Sequence, residues 1–173
     1  GASADGRLDV SFVPTRAERL LLHVAVQASG GDGGGGEESD IPMRGSPFSV
    51  EVVPAHTGAR KCEAVGDALR DAVVRQPTSF VIVARDAQGN RRSVGGDRFA
   101  VSFRGPCNPV ARVHDRGDGT YRCTYVAALS GTCLVAVTLG RQHIQGSPFR
   151  VVVRGAREAR GNTHSDTVSM RMS

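Results

Sequence analysis

The 173-residue sequence predicts an all-β protein folded as a two-layered β-sandwich. Glycine accounts for 22 residues, nearly twice its usual share of about 7%, which is typical of a chain with many turns. Between the turn signals lie short, valine-rich runs in which apolar and polar residues alternate. Because successive side chains of a strand point to opposite faces, each such run buries one face of a sheet.

Seven of these runs follow one another in the C-terminal part of the chain. The third alternates strictly from Phe99 to Phe103, and in the fifth Tyr121, Cys123 and Tyr125 share one face. The predicted strands cover residues 59–65, 79–84, 99–103, 110–114, 121–125, 133–137 and 149–153. Seven short strands at this spacing predict an immunoglobulin-like β-sandwich.

Turn residues separate these strands in order. Asp-Ala-Gln-Gly-Asn at 86–90 ends the second strand, and Asp-Arg-Gly-Asp-Gly at 115–119 lies between the fourth and the fifth. Gly131 precedes the sixth strand. Pro148 precedes the last one, where a residue without an N–H donor fits the entry to an edge strand.

An internal repeat relates the two ends of the chain. Gly-Ser-Pro-Phe at 45–48 recurs at 146–149, 101 residues later, and each copy precedes an alternating run. Upstream, a run that begins at Asp5 aligns with residues 118–126, at an offset of 113. The two offsets differ by 12 residues, and the difference falls in the Gly-rich segment 29–40, which is typical of a flexible loop insertion.

The repeat predicts three parts. Residues 1–54 form the C-terminal part of one repeat, 58–153 form a complete repeat, and 154–173 form a polar tail or linker. Because 1–54 hold too few strands to bury both faces of a sheet, we expect that part to be unstable on its own. Since the first residue is glycine rather than methionine, we expect the chain to be part of a longer or processed protein.

The motifs of the complete copy resemble the filamin (actin-binding protein 280) repeat. The resemblance covers nearly all of 58–153 and, in its final strands only, residues 5–53. It rests on the order of several short motifs, at 84–90, 95–97, 105–106, 118–121, 131 and 143–149. It implies a filamin-type sandwich in which Tyr125 is buried and its hydroxyl has a hydrogen-bond partner.

The resemblance also implies a binding site. Filamin-type repeats act as rod spacers and as docking platforms, and partners commonly add a β-strand along the groove between the third and fourth strands. Carried over by position, Phe99, Val101 and Phe103 face the core. The candidate groove residues are then Ala100 and Ser102 of the third strand and Ala111 and Val113 of the fourth.

Two further readings of this groove come from its surroundings. The first is that many repeats in such arrays are spacers only, in which case the groove is an unused edge. The second is that Arg98, Arg104 and Arg112 flank the groove and protect a sandwich edge from aggregation.

The four cysteines leave the redox state open. Cys123 and Cys133 stand where the family usually has a Val-like and a Tyr-like residue, and their side chains are expected in the core. We expect two reduced, packed thiols there, with a buried Cys123–Cys133 disulfide as the alternative. Cys62 and Cys107 are expected to be free.

No motif in the sequence indicates an enzyme, a metal site or a cofactor. The five histidines are scattered, and none has a metal-ligand spacing such as His-Glu-x-x-His. His114 with Asp115 and Asp118 is explained by an Asp-rich hairpin turn. The glycine run 33–36 lacks the Lys-Ser/Thr of a phosphate-binding loop.

The charge balance does not indicate a nucleic-acid partner, and no segment predicts a membrane span. The net charge is +5, but the arginines are spread over the strands and aromatic residues are only 5%. Non-specific phosphate contacts need clustered basic residues, usually with stacking aromatics. No stretch approaches the ~18 apolar residues of a membrane helix.

We therefore predict a non-enzymatic scaffold, spacer and protein-docking module in a cytoplasmic, actin-linked cytoskeletal assembly, with any actin association supplied by the full-length protein. One alternative is a cell-surface adhesion ectodomain built of such repeats, which a disulfide would favour. Another is the substrate-recognition repeat of a ubiquitin ligase, which a RING-type Cys/His array elsewhere in the gene product would favour.

Overall fold

The computed structural model describes residues 8–27, 40–107 and 109–156. Apart from Asp40, the predicted loop insertion 29–40 lies outside the described residues, as does the predicted tail beyond residue 156. The chain divides into two compact units, Gly1–Val53 and Pro54–Ser173.

In the described ranges 8–27 and 40–53, the first unit contains four short strands that pair as two ladders. These strands are β1 (Arg19–Leu22), β2 (Ala25–Gln27), β3 (Asp40–Pro42) and β4 (Phe48–Glu51). β1 pairs antiparallel with β4, so that Leu20 lies opposite Val50. β2 pairs antiparallel with β3, so that Val26 lies opposite Ile41.

The second unit is a sandwich of two sheets, which confirms the predicted all-β, immunoglobulin-like fold. Its strands are β5 (Glu63–Val65), β6 (Asp71–Val73), β7 (Pro77–Val83), β8 (Phe99–Arg104), β9 (Val110–Asp115), β10 (Thr120–Val126), β11 (Gly131–Leu139), β12 (Gln142–His143) and β13 (Phe149–Arg154). One sheet has the strand order β5-β7-β10-β9. In the other sheet, β11 pairs with β8 on one side and with β12 and β13 on the other, and β13 pairs in parallel with β6.

The core lies between the two sheets and follows the period-two pattern of the sequence. From β10 it receives Tyr121, Cys123 and Tyr125, each at most 1% exposed. The inward side chains of β7, β11 and β13 complete it, among them Phe80, Ile82, Cys133, Val135, Val137, Val151 and Val153. The hydroxyl of Tyr125 donates a hydrogen bond to the carbonyl of Ala68, as the resemblance implied.

Short elements near the start and end of the sandwich differ from the sequence prediction. The strand predicted over 59–65 is a 3₁₀ turn, Ala59–Lys61, followed by the three-residue strand β5. β6 and β12 were not predicted, because runs of three and two residues are too short to show a period.

The turn after β7 is organised around one buried carboxylate. Asp86 is 1% exposed and accepts the backbone N–H groups of Gln88 at 3.0 Å, Asn90 at 2.8 Å and Ala55 at 3.1 Å. It also accepts the side-chain amide of Asn90 at 2.9 Å. Burial acts to raise the pKa of Asp86, but these hydrogen bonds outweigh it and hold the pKa below its usual value.

The structure corrects the prediction for the cysteines. The disulfide joins Cys107 to Cys133, not Cys123 to Cys133, and Cys107 is therefore not free. The reason is the course of the chain after β8: the carbonyl of Cys107 accepts N–H groups of Ala128 and Leu129, which holds that loop beside the start of β11. Cys62 and Cys123 are free thiols, both fully buried.

The two units contain the same strand pairing. β11 pairs with β13 and β12 in the register that β1 and β2 adopt with β4 and β3, once positions are shifted by the offsets of the sequence repeat. In the second unit the hydroxyl of Ser147 accepts the N–H of Val137 at 2.8 Å. In the first, the hydroxyl of Ser46 accepts the N–H of Val24 at 2.9 Å.

Candidate functional site

β8 and β9 are edge strands of the two different sheets and follow each other in the chain. β8 pairs with β11 on one side, and β9 pairs with β10 on one side; neither has a second partner strand among the described residues. The short loop that begins at Gly105 joins them. An edge strand presents unpaired N–H and C=O groups, which are a template for pairing with another chain.

The backbone groups on the free side of β8 can be assigned from its neighbour. The N–H of Val137 is bonded to Ser147 and its C=O to the N–H of Ile144, so both groups point away from β8. Val101, which lies opposite Val137, therefore forms a non-hydrogen-bonded pair with it.

Antiparallel pairs alternate between the two types, so Ala100 and Ser102 bond to β11. The N–H and C=O groups of Phe99, Val101 and Phe103 then face the free edge. This row offers three donors and three acceptors to an added strand.

The predicted inward and outward faces of β8 are found in the structure. Phe99 is buried, and Val101 and Phe103 are partly buried and pack on the core. Ala100 and Ser102 are exposed on the outer face of the sheet, where Ser102 lies opposite Ala136 of β11.

The two candidate groove residues of β9, Ala111 and Val113, lie on the inner face of their sheet, unlike those of β8. Ala111 pairs with Tyr125 and Val113 with Cys123, so both share the inward face of those buried residues. Ala111 packs against the core, whereas Val113 is 37% exposed.

The structure therefore divides the four predicted residues between two surfaces. Ala100 and Ser102 lie on the outer face of β8, while Ala111 and Val113 line the inner side of the gap between β8 and β9. A strand added to β8 would contact both surfaces, because its own side chains alternate between them.

A shallow depression extends the site across the outer face of β8 and β11. Its lining has one arginine and one histidine among otherwise small, apolar or hydroxyl side chains, and it comprises Ser102, Arg104, Leu134, Ala136, Thr138, His143 and Pro148. Leu134, which lies opposite Arg104, is 43% exposed. This surface was not among the predicted sites. It could have been found from the sequence, because small or polar residues alternate with the buried ones along β11 and therefore lie on its outer face.

The two acidic side chains near β8 accept hydrogen bonds from other residues of the fold. Asp97 accepts the hydroxyls of Thr57 at 2.8 Å and Tyr121 at 3.1 Å. Asp115 accepts the N–H groups of Gly96 at 2.7 Å and Gly117 at 2.8 Å. Both carboxylates are thus hydrogen-bonded within the fold, although Asp115 is exposed. Arg98 and Arg104, which flank β8, are exposed as well and form no ion pair with another described residue.

The buried thiols are poor candidates for reaction chemistry. Burial raises the pKa of the Cys123 thiol to about 12, and it raises the pKa of the Cys62 thiol despite a hydrogen bond from the Arg85 N–H. A thiol must ionise to act as a nucleophile, so both favour the unreactive protonated form. Within the described ranges, no three His, Cys, Asp or Glu side chains cluster as a metal-binding group.

The described segments also contain no helix with the length and apolarity that a membrane crossing requires.

The two facing sheets and their strand order define the second unit as an immunoglobulin-like sandwich domain. The sequence pattern of the Filamin/ABP280 repeat matches residues 56–150. The chain belongs to the Filamin/ABP280 repeat family.

Among known proteins, similar sequences are found in ubiquitin ligases. The chain is 38% identical over 111 residues to the E3 ubiquitin-protein ligase TRIM71 of Mus musculus, a match covering 63% of this chain and 13% of the ligase. It is 41% identical over 114 residues to the E3 ubiquitin-protein ligase TRIM45 of Bos taurus, covering 64% of this chain and 19% of the ligase. The matched region is therefore a small part of each relative.

Solved structures show the same fold. The Lin-41 filamin domain superposes with a TM-score of 0.52 at 20% identity, over 58% of this chain and 98% of that one. The Escherichia coli adhesin FdeC superposes with a TM-score of 0.50 at 20% identity, over 66% of this chain and 37% of that one. At this identity the likeness concerns the fold alone.

Proposed function

We propose that the filamin-type repeat of this chain is a protein-docking module, in which an extended segment of a partner adds as a strand along β8. The observation that carries the proposal is the free edge itself. Three residues, Phe99, Val101 and Phe103, direct their backbone groups to the edge of β8 that has no partner strand among the described residues, and small side chains flank them. Backbone hydrogen bonds supply affinity in such additions, and pockets for alternate side chains supply selectivity.

The second part of the proposal concerns the protein to which this module belongs. We propose that it docks substrates for a ubiquitin ligase, because the relatives described above are E3 ubiquitin-protein ligases at 38–41% identity. Ubiquitin transfer itself would be carried out by another part of such a protein. The cytoplasmic, actin-linked scaffold predicted from the resemblance remains a prediction, and these relatives favour the ligase instead.

The docking proposal is tested by a peptide selection followed by matched variants. Extended peptides selected for binding from a random library are titrated against the unmodified chain and two variants. Val113→Gln places a polar side chain in the gap beside β8, and Val152→Gln changes a valine of similar exposure, 38% against 37%, on β13. We expect Val113→Gln to weaken binding about 10-fold or more and Val152→Gln to leave it unchanged. Equal effects would contradict the proposal.

The ligase proposal is tested in the full-length protein. Val113→Gln is expected to reduce ubiquitin transfer to a bound substrate, while self-ubiquitination stays at the level of the unmodified enzyme. Loss of both reactions, or of neither, would contradict a substrate-docking role for the repeat.

A second candidate is the cell-surface adhesion protein, and one observation favours it. The disulfide Cys107–Cys133 is typical of proteins that fold in an oxidising compartment. Thiol alkylation and mass spectrometry of the protein from its native source separate the two candidates. Four alkylatable cysteines favour the intracellular ligase, whereas a Cys107–Cys133 peptide pair favours the cell surface.

We also propose that residues 1–54 are the C-terminal part of another filamin-type repeat. The register shared by the β1–β4 and β11–β13 pairs supports this proposal. So does burial, because five inward residues of β11 and β13 are at most 3% exposed while their counterparts in the first unit are only partly buried; the five are Cys133, Val135, Val137, Val151 and Val153. These counterparts are Leu20, Leu22, Val24, Val50 and Val52. Tandem repeats of this kind would add a spacer role to the docking role.

A further inference from the structure

The side chains beside the free edge of β8 indicate the chemistry of the docked segment; this inference rests on the proposed strand addition. Exposure alternates regularly from residue 97 to residue 104. The pattern places Arg98, Ala100, Ser102 and Arg104 on the outer face, so two arginines bound a row of two small residues.

These two arginines have no charge partner in the part of the chain that the structure describes. Neither Arg98 nor Arg104 forms an ion pair or a side-chain hydrogen bond with another described residue. The nearest carboxylates in sequence, Asp97 and Asp115, are engaged by Thr57, by Tyr121 and by backbone N–H groups. β8 itself contains no acidic residue.

We propose that the segment added to β8 is an acidic peptide. It carries Asp or Glu at two outward positions six residues apart, opposite Arg98 and Arg104. At the three inward positions, opposite Phe99, Val101 and Phe103, it carries apolar residues.

The spacing follows from strand geometry. A strand rises about 3.3 Å per residue, so Arg98 and Arg104 lie about 20 Å apart along the edge. Side chains directly opposite each other in paired strands have Cβ atoms about 5 Å apart, which brings a carboxylate within reach of each guanidinium. Ala100 and Ser102 between them leave room for the outward side chains of the added strand.

The inward requirement follows from the gap between β8 and β9. Side chains at those positions of the peptide meet Val113, which is 37% exposed, and the partly buried Ala111. A charged group there would be removed from water without a partner, so apolar residues are favoured.

The competing explanation is that Arg98 and Arg104 serve only to keep the edge from aggregating. In that case the charge of a docked peptide would have no effect on its affinity. The test therefore varies charge at constant length and constant inward residues.

Three synthetic peptides serve as probes, each flanked by Gly-Ser and followed by amide chemical-shift titration of the full 173-residue chain. The acidic probe has the sequence Asp-Val-Ser-Val-Ser-Val-Asp, which reads the same in both directions and so does not presuppose strand polarity. The neutral probe replaces both aspartates by serine, and the basic probe replaces them by lysine.

We expect the acidic peptide to bind roughly 5-fold more tightly than the neutral one, and the basic peptide to bind more weakly than both. Equal affinities with shifts along β8 would overturn the acidic preference and leave strand addition intact. No binding, or shifts away from β8, would overturn strand addition together with the inference that rests on it.

A charge reversal provides the matched control. Arg98 and Arg104 are exposed, and the double variant Arg98→Glu and Arg104→Glu is expected to invert the order of the three peptide affinities, so that the basic peptide binds most tightly. The double variant Arg60→Glu and Arg70→Glu changes the net charge equally at exposed positions outside β8 and β9, and it should keep the original order. If both double variants shift the order equally, the preference comes from net charge rather than from this edge, and the inference fails.

Discussion

Tyr125 of β10 donates its hydroxyl hydrogen bond to the backbone carbonyl of Ala68, 57 positions earlier in the chain. The tyrosine is 1% exposed and Ala68 is 3% exposed, so water cannot replace this bond. It ties the short turn before β6 to the centre of the opposite sheet. The pair fixes the geometry of the end of the sandwich at which β6 joins β13.

Tyr125→Phe should therefore destabilise the second unit without altering its fold. The substitution keeps the ring and leaves the carbonyl of Ala68 unpaired in the core, which costs about 1–2 kcal/mol. Urea unfolding followed by circular dichroism measures the change. A midpoint equal to that of the unmodified protein would contradict the assigned role of the hydroxyl.

The two tyrosines of the chain should ionise only at strongly alkaline pH. Burial raises the pKa of both Tyr121 and Tyr125 to about 12. At Tyr121 the hydrogen bond from the Asp97 N–H opposes this rise in pKa, whereas the Asp97 carboxylate adds to it. Because the folded pKa of each tyrosine exceeds the ordinary value near 10, its buried neutral hydroxyl adds to the free energy of unfolding. This contribution is complete below pH 10 and is lost as the pH rises towards 12. Absorbance titration of tyrosinate checks this. A transition near pH 10 in the folded protein would contradict it.

Substitution of the buried Asp86 should destabilise the domain more than substitution of an exposed turn residue. Asp86→Ala leaves the backbone N–H groups of Gln88 and Asn90 without their acceptor and should cost about 2–4 kcal/mol. Asp67→Ala, at an exposed position, should cost less than ~0.5 kcal/mol. Thermal unfolding of the two variants at neutral pH measures the difference, and equal effects would contradict the account of this turn.

Asp86 also predicts a dependence of stability on pH. Its folded pKa is held below the ordinary value, so it stabilises the fold above that value, and this contribution is lost as the pH falls through the lowered pKa. Acid unfolding of the Asp86→Ala variant should accordingly show a weaker pH dependence than that of the unmodified protein. Parallel curves would show that another group is responsible.

Hydrogen exchange should separate the two units. Val135 and Val137 are fully buried in the sandwich, whereas their counterparts are only partly buried, Leu22 at the end of β1 and Val24 between β1 and β2. We expect amides of β1 to exchange at least ~10²-fold faster than those of β11, because local opening costs little where few apolar contacts must break. Equal protection in the full chain would mean that the first unit has a complete core.

Much of this fold is predictable from the sequence because the strands are long enough to show their period. The alternation from Phe99 to Phe103 predicts which side chains of β8 face the core, and the structure confirms it. β6 and β12 are different, since two or three residues carry no period and their pairing depends on neighbours placed by the rest of the chain.

The partner of Cys133 in the disulfide cannot be predicted from the alternation of inward and outward side chains. Alternation correctly places Cys123 and Cys133 on inward faces, yet it says nothing about which loop meets β11. Cys107 comes beside Cys133 through backbone hydrogen bonds of the loop after β8, a long-range arrangement that no local pattern encodes. The prediction of a free Cys107 was wrong for this reason.

The candidate site, too, is only partly predictable from the sequence. The sequence identifies Ala100, Ser102, Ala111 and Val113 as small or apolar residues of two neighbouring strands. Which backbone groups of β8 face solvent depends on the bonds that Ser147 and Ile144 make to Val137, more than 30 positions away. Only the assembled sheet assigns them.

Amide exchange of β8 in a peptide complex is the most direct measurement of the central claim. On binding of the acidic probe, the amides of Phe99, Val101 and Phe103 should become strongly protected, because they gain a partner strand. Those of Ala100 and Ser102, already bonded to β11, should change little. Protection that does not alternate along β8, or that arises on another strand, would contradict docking by strand addition at this edge.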